Sequence, residues 1–230
     1  MLTISNAHAM LSMQTQMNAK VNPNWLSAGF PFLRAVVIEG AEGIEHHGMW
    51  KWWKKGMPNI EQLRLELVDI FHFTLSALLV ARNGCIASTA EDLIKLAQSE
   101  DFTAMFDGKM YQIDALDTVE KLELLIGLSV SRRINLVLFE AIMLDCEMSW
   151  DDLYRQYVGK NVLNFFRQDN GYREGGYQKT WSGREDNEHL VEIVSSLDVD
   201  EPNFRELIYV SLSERYAVAL HGDVTGVPIH

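Results

Sequence analysis

Glu39 and Glu42 stand three residues apart, and so do Glu66 and Asp69. On a helix, positions i and i+3 share a face with Cβ atoms about 5–6 Å apart, so each pair would aim both carboxylates one way. Two such helices side by side would gather four carboxylates. Unneutralised, that group repels itself and drives some pKa values up. With Mg²⁺ it becomes a hard-oxygen site that keeps several waters and accepts phosphate oxygens, and a water oriented there by a carboxylate can attack phosphorus. With 32 acidic residues in 230, chance alone supplies about four or five such pairs, so the spacing is weak by itself. The setting adds weight. Glu66 and Asp69 lie within LRLELVDIFHFTLSALLV, and Glu39 follows AVVI. A carboxylate buried in such surroundings without a partner is costly. Glu45 continues the first row and reads as solvated. His72 extends the second, and Asp69-x-x-His72 has the spacing of di-iron bundle ligands. The second such pair, Asp186-x-x-His189, follows a glycine-rich loop, so His72 reads instead as packed near the site or bonded to a substrate.

A second constellation lies further on. Lys160, Asn164 and Arg167 are spaced i, i+4, i+7 and share one helix face that ends at NGYREGGYQKTWSG. A point charge, an amide and a planar fork suit a di- or triphosphate. Glycines 171, 175, 176 and 183 allow close backbone approach, and Tyr172, Tyr177 and Lys179 add donors. The bland alternative is a solvated basic face, but the net charge is −12 and these cations are gathered against that excess.

The elements that must carry these residues read as helices. Five prolines, at 23, 31, 58, 202 and 228, leave long uninterrupted segments. The spacing predicts a helix over 8–20, another after Pro31 through FLRAVVIEGAEGIEHH, and a third through NIEQLRLELVDIFHFTLSALLVARNG that stops near Gly84. Gly40 and Gly43 weaken the second, permitting close packing or a bend. Ser88 or Thr89 is a candidate cap for EDLIKLAQ. Residues 117–147 suggest two or more helices, 149–167 another, then a short one from about Asn187 and a last one from near Pro202 to about Leu220. No strand pattern stands out. The expectation is one all-α domain over residues 1–230.

Composition narrows the function. The acidic balance argues against non-specific nucleic-acid binding, and no apolar run reaches the 18 residues of a membrane span. The first twenty residues lack the basic and apolar regions of a signal peptide. Cys85 and Cys146 read as thiols in a reducing, cytoplasmic compartment.

The chain resembles the dimeric all-α dUTPases of the all-α nucleoside triphosphate pyrophosphatase superfamily. The superfamily pattern, Glu-x-x-Glu then Glu-x-x-Asp, is met by Glu39, Glu42, Glu66 and Asp69. More specific are WKWWK, ELVDIFHF and KNVLNFFRQDNGYREGGYQKTWSGREDN, and the likeness runs over roughly residues 10–190. It implies a helical bundle of that superfamily's type, working as a homodimer. It implies hydrolysis of dUTP, and of dUDP as a second substrate, to dUMP with pyrophosphate released from dUTP. Two or three Mg²⁺, with Mn²⁺ as a substitute, would sit on the four acids, and Glu39 would orient or deprotonate the water. Lys160, Asn164, Arg167, Tyr177 and Lys179 would hold phosphates. Gln14, Asn18, Trp53, His72, Phe73 and Asn187 would contact the nucleoside, Asn187 at the uracil edge. The residues alone leave open a preference for dCTP or modified dNTPs, and a di-iron carboxylate bundle.

Overall fold

The computed structural model describes residues 1–199, 201 and 203–221. They fall into two compact units, Met1–Tyr154 and Arg155–His230. Nine α-helices, one short 3-10 helix (Ile113–Ala115) and two small hairpins make up the regular structure among the described residues.

The first unit is built on three helices, α1 (Ile4–Val21), α2 (Phe32–His47) and α3 (Ile60–Ala81). Thr3 caps α1 and Asn59 caps α3, each side-chain oxygen accepting from a first-turn backbone N–H. α3 is the buried helix: Leu63, Leu67, Val68, Ile70, Phe71, Leu75 and Leu79 are all inaccessible or nearly so. It packs against α2 and α1, while α2 also lies against α5 (Thr118–Val130). Helix α4 (Ile86–Ala97) covers α1, and α6 (Leu136–Asp145) covers α4 and α5. Phe71 stacks on Phe139 at 5.4 Å, and Trp150 meets Phe71 edge-on at 5.7 Å, so α3, α6 and the start of α7 (Trp150–Asp169) share one aromatic centre.

The two glycines of α2 permit close packing rather than a bend. A Cβ on Gly40 would lie 2.9 Å from Ile126 Cγ1 of α5, and one on Gly43 would lie 3.0 Å from Leu63 Cδ1 of α3. The helix runs unbroken through both. Their missing side chains let α2 approach two neighbours at once, bringing the backbones that carry the acids together.

Gly84 ends α3 as expected, with φ +78° and its N–H on the Leu79 carbonyl. The capping expectation for α4 is corrected. Cys85 occupies the cap position, so Ser88 and Thr89 sit in the first turn with their hydroxyls on the Cys85 carbonyl. The chain turns so tightly after Gly84 that the helix begins three residues earlier than its polar residues suggest. Two hairpins also went unanticipated, β1–β2 (Thr103–Phe106, Lys109–Gln112) and β3–β4 (Thr180–Trp181, Arg184–Glu185). Asp107-Gly108 and Ser182-Gly183 form their turns, each with both φ values positive, the geometry of tight two-residue hairpin loops.

In the second unit, α7 continues into a turn-rich loop, followed by α8 (Asp186–Ser196) and α9 (Phe204–His221). The expected start of α9, Pro202, lies outside the described residues. Phe166 centres an aromatic cluster with Tyr177, Trp181, Tyr209 and Tyr216 at centroid distances of 5.4–6.1 Å. Gly159 of α7 gives way to α8, since a Cβ there would lie 2.6 Å from Val194 Cγ2.

Gly40→Val should overpack the α2–α5 contact and lower stability by about 1–3 kcal/mol; a urea midpoint unchanged from wild type would contradict this packing.

Candidate functional site

In the first unit, α2 and α3 bring Glu39, Glu42 and Glu66 together, with one carboxylate oxygen from each inside a 4.8 Å span. Glu66 is buried, Glu39 half-buried and Glu42 exposed. Asp69, one turn beyond Glu66 on α3, is half-buried and outside that trio, yet its charge acts strongly on Glu39. The Glu39 carboxyl is pushed from 4.5 up to about 8, first by burial, then by the charges of Asp69 and Glu66. A hydrogen bond with Glu66 and the charge of Glu42 act in the same direction. Four acids on two facing helices therefore hold a proton that a cation would displace. All the donors are hard oxygens, the set a small divalent cation prefers.

A histidine belongs to the same cluster. His46 Nε2 lies 3.3 Å from Glu66 Oε1. It stands four residues after Glu42 and seven after Glu39, so the helical period could have placed it there. Glu45 turns away, as expected, and pairs with Lys51 at 2.6 Å on the surface.

Behind the acids, α1 and α3 share a buried polar network. His72 Nδ1 lies 2.7 Å from Gln14 Oε1, and Gln14 Nε2 donates to Ser76 Oγ at 2.9 Å and to Asn18 Oδ1 at 3.1 Å. Asn18 Nδ2 donates to the same Ser76 oxygen at 3.0 Å. Gln14, Asn18 and His72 are thus brought together, and Ser76, absent from the sequence expectation, joins all three. Phe73 lies half-buried on the same helix.

Trp53 is placed differently, in the α2–α3 connection. Trp52 is 87 % exposed and Trp53 59 %, each meeting the other edge-on at 4.5 Å, and Trp50 meets Trp53 at 5.4 Å. The connection closes on itself: Asn59 N–H donates to the His46 carbonyl at 2.9 Å, and a Cβ on Gly56 would meet the Gly48 carbonyl oxygen at 2.3 Å.

In the second unit, the expected face of α7 is real and meets the start of α8. Arg167 forks onto Asp186, Nε to Oδ2 and Nη2 to Oδ1, both at 2.8 Å. Its Nη1 donates to Asn164 Oδ1 at 3.3 Å. The buried Lys160 donates to Asn187 Oδ1 at 3.0 Å, and Arg167 Nη2 reaches the same oxygen at 3.4 Å. Tyr177 donates to Asp186 Oδ2 at 2.9 Å. Burial and the Asp186 charge hold that phenol protonated, far above its ordinary range. Lys179 stays exposed, its ammonium over the Tyr172 ring at 5.6 Å. Asp186, only 1 % exposed, organises this group. Nothing in its sequence spacing singled it out for that part. Asp186 is committed to Arg167 and Tyr177, and His189 to the Trp181 carbonyl at 3.1 Å, so both members of the second di-iron pair already have other partners.

No helix among the described residues is long and apolar enough to cross a membrane. The sequence model of the dUTPase family matches residues 6–172, spanning both acid pairs and the α7 face. No curated protein matches the chain. The chain belongs to the dUTPase family: it is an enzyme of dUTP hydrolysis, and its acidic cluster is where the divalent metal such enzymes use could sit.

The folded chain keeps the Glu39 proton up to about pH 8, whereas the unfolded chain releases it near 4.5. The stabilisation from that proton is complete below the lower value and lost as pH rises through the higher one. In a chelator, thermal stability should therefore fall between about pH 5 and 8, and Glu39→Gln should flatten the fall. An added divalent cation should restore most stability at the alkaline end. A pH profile identical in wild type and variant would overturn the placement of this proton.

Proposed function

We propose that the chain hydrolyses dUTP to dUMP and pyrophosphate, with dUDP as a second substrate, in a Mg²⁺-dependent reaction at the α-phosphorus. The observation that carries this is the crowding of Glu39, Glu42, Glu66 and Asp69, which raises the Glu39 carboxyl to about 8. Like charges pressed together in a partly buried place want a cation. Glu39, Glu42, Glu66 and Asp69 would hold two or three Mg²⁺, with Mn²⁺ a workable substitute. The metals supply Lewis-acid charge that offsets the phosphate oxygens.

The chain's own groups do the rest. Glu39, which feels all three other acids, orients the attacking water and takes its proton. Lys160, Arg167 and Lys179 offset the charge that develops on the leaving pyrophosphate, with Asn164 and Tyr177 as further hydrogen-bonding groups. Gln14, Asn18, Trp53, His72 and Phe73 contact the nucleoside. Asn187 supports uracil over cytosine. Its Oδ1 already accepts from Lys160 and Arg167, so what the amide offers a base is N–H. A donor there suits the O4 carbonyl of uracil and opposes the exocyclic amine of cytosine. The reading includes a homodimer in the cytoplasm.

Pyrophosphate release from a panel of dNTPs at fixed Mg²⁺ tests the substrate, with dUTP expected to be turned over best; a better dCTP or modified dNTP would end the uracil reading. Glu66→Gln should abolish turnover while the far-ultraviolet circular dichroism and melting transition persist. Retained activity would remove Glu66 from the metal site.

A further inference from the structure

We infer that Ser76 is a positioning residue: its hydroxyl fixes the amide orientation of Gln14 and Asn18 and holds His72 as the Nδ1–H tautomer. The nucleoside role of those three residues rests on the function proposed above; the tautomer does not.

The argument is a count of donors and acceptors. Ser76 is fully buried, one helical turn after His72 on α3. A serine hydroxyl has one hydrogen and two lone pairs. The hydrogen goes to the His72 backbone carbonyl at 3.0 Å. Ser76 can then only accept from its other neighbours. Gln14 and Asn18 both approach that oxygen, at 2.9 and 3.0 Å, so each must turn its NH₂ toward it. The second N–H of Gln14 goes to Asn18 Oδ1, which agrees with the same orientation. Gln14 Oε1 is therefore left facing His72 Nδ1 at 2.7 Å, and an amide oxygen only accepts. The hydrogen must lie on Nδ1, and the neutral ring carries its lone pair on Nε2.

The 3.4 Å approach of Ser76 Oγ to Asn18 Oδ1 is the longest in the group. It offers the alternative use of the same hydrogen, which would leave the His72 carbonyl without it. Reversing Gln14 would set its oxygen against the oxygens of Ser76 and Asn18 at once. One hydroxyl thus selects one state of a four-residue network. Asn18, half-buried, is its most accessible member. A nucleoside arriving there finds a donor and acceptor pattern set in advance, with no amide left to reorient.

Long-range ¹H–¹⁵N spectra of the wild-type chain report the His72 tautomer, whether or not a variant folds. A protonated Nδ1 with a bare Nε2 is expected. An Nε2–H ring, or a doubly protonated one at neutral pH, overturns the proposal. Ser76→Ala should give a mixture of tautomers, with KM for dUTP up about tenfold and kcat within about twofold. A variant that loses thermal stability alone, with tautomer and KM unmoved, shows a merely structural serine and overturns the proposal, as does a KM rise with the tautomer unmoved. If the wild-type chain turned over no dNTP, the function proposed above would fail, and the spectra would still decide the tautomer.

Discussion

Electrostatic repulsion between carboxylates on two packed helices is the constraint around which the first unit is arranged. Helix association alone would keep such groups apart, because bringing like charges out of water costs more than a surface ion pair returns. Here the chain holds them together by giving up side chains. Gly40 and Gly43 let α2 settle against α3 and α5, and the apolar burial along α3 supplies the opposing free energy. The repulsion of the acids is opposed by packing that reaches up to them: a Cβ on Gly43 would lie 3.9 Å from Glu66 Cβ.

The two units solve the problem of buried polarity differently. The network under α1 and α3 is made of uncharged groups whose hydrogens are all directed. In the second unit, a cation and an anion are buried as a forked pair, with Tyr177, Asn164 and Asn187 taking up remaining valences. A forked pair needs only its geometry preserved. The uncharged network depends on orientation, and a single hydroxyl decides it. Rigidity in the second unit is a matter of charge, in the first of the direction of hydrogens.

The helices were legible because apolar periodicity is strong where a helix is packed on several sides, as in α3, and because Pro31, Pro58 and Gly84 mark boundaries by local chemistry. The acid pairs and the Lys160–Asn164–Arg167 face were legible for the same reason: helical spacing fixes which residues share a face. What periodicity cannot show is which faces meet. Asp186 and Ser76 matter through partners that include residues distant in sequence, 19 residues away for Arg167 and 62 for Gln14. His46 lay within reach of the helical period but carried no motif. The hairpins were short enough for their Asp-Gly and Ser-Gly turns to be the whole signal. The start of α4 was misplaced because a left-handed turn overrode the polar residues that usually announce a cap.

The closure of the α2–α3 connection has a further consequence. Because Asn59 binds the His46 carbonyl through its backbone and caps α3 through its side chain, the two acid-bearing helices are joined at the neck of the tryptophan segment. The segment beyond the neck returns to α2 through the Lys51–Glu45 ion pair at 2.6 Å. A longer loop there would cost little more than its closure entropy, about 0.6 kcal/mol per doubling. The fold thus sets the spacing of the two acid-bearing helices independently of the length of the loop that joins them.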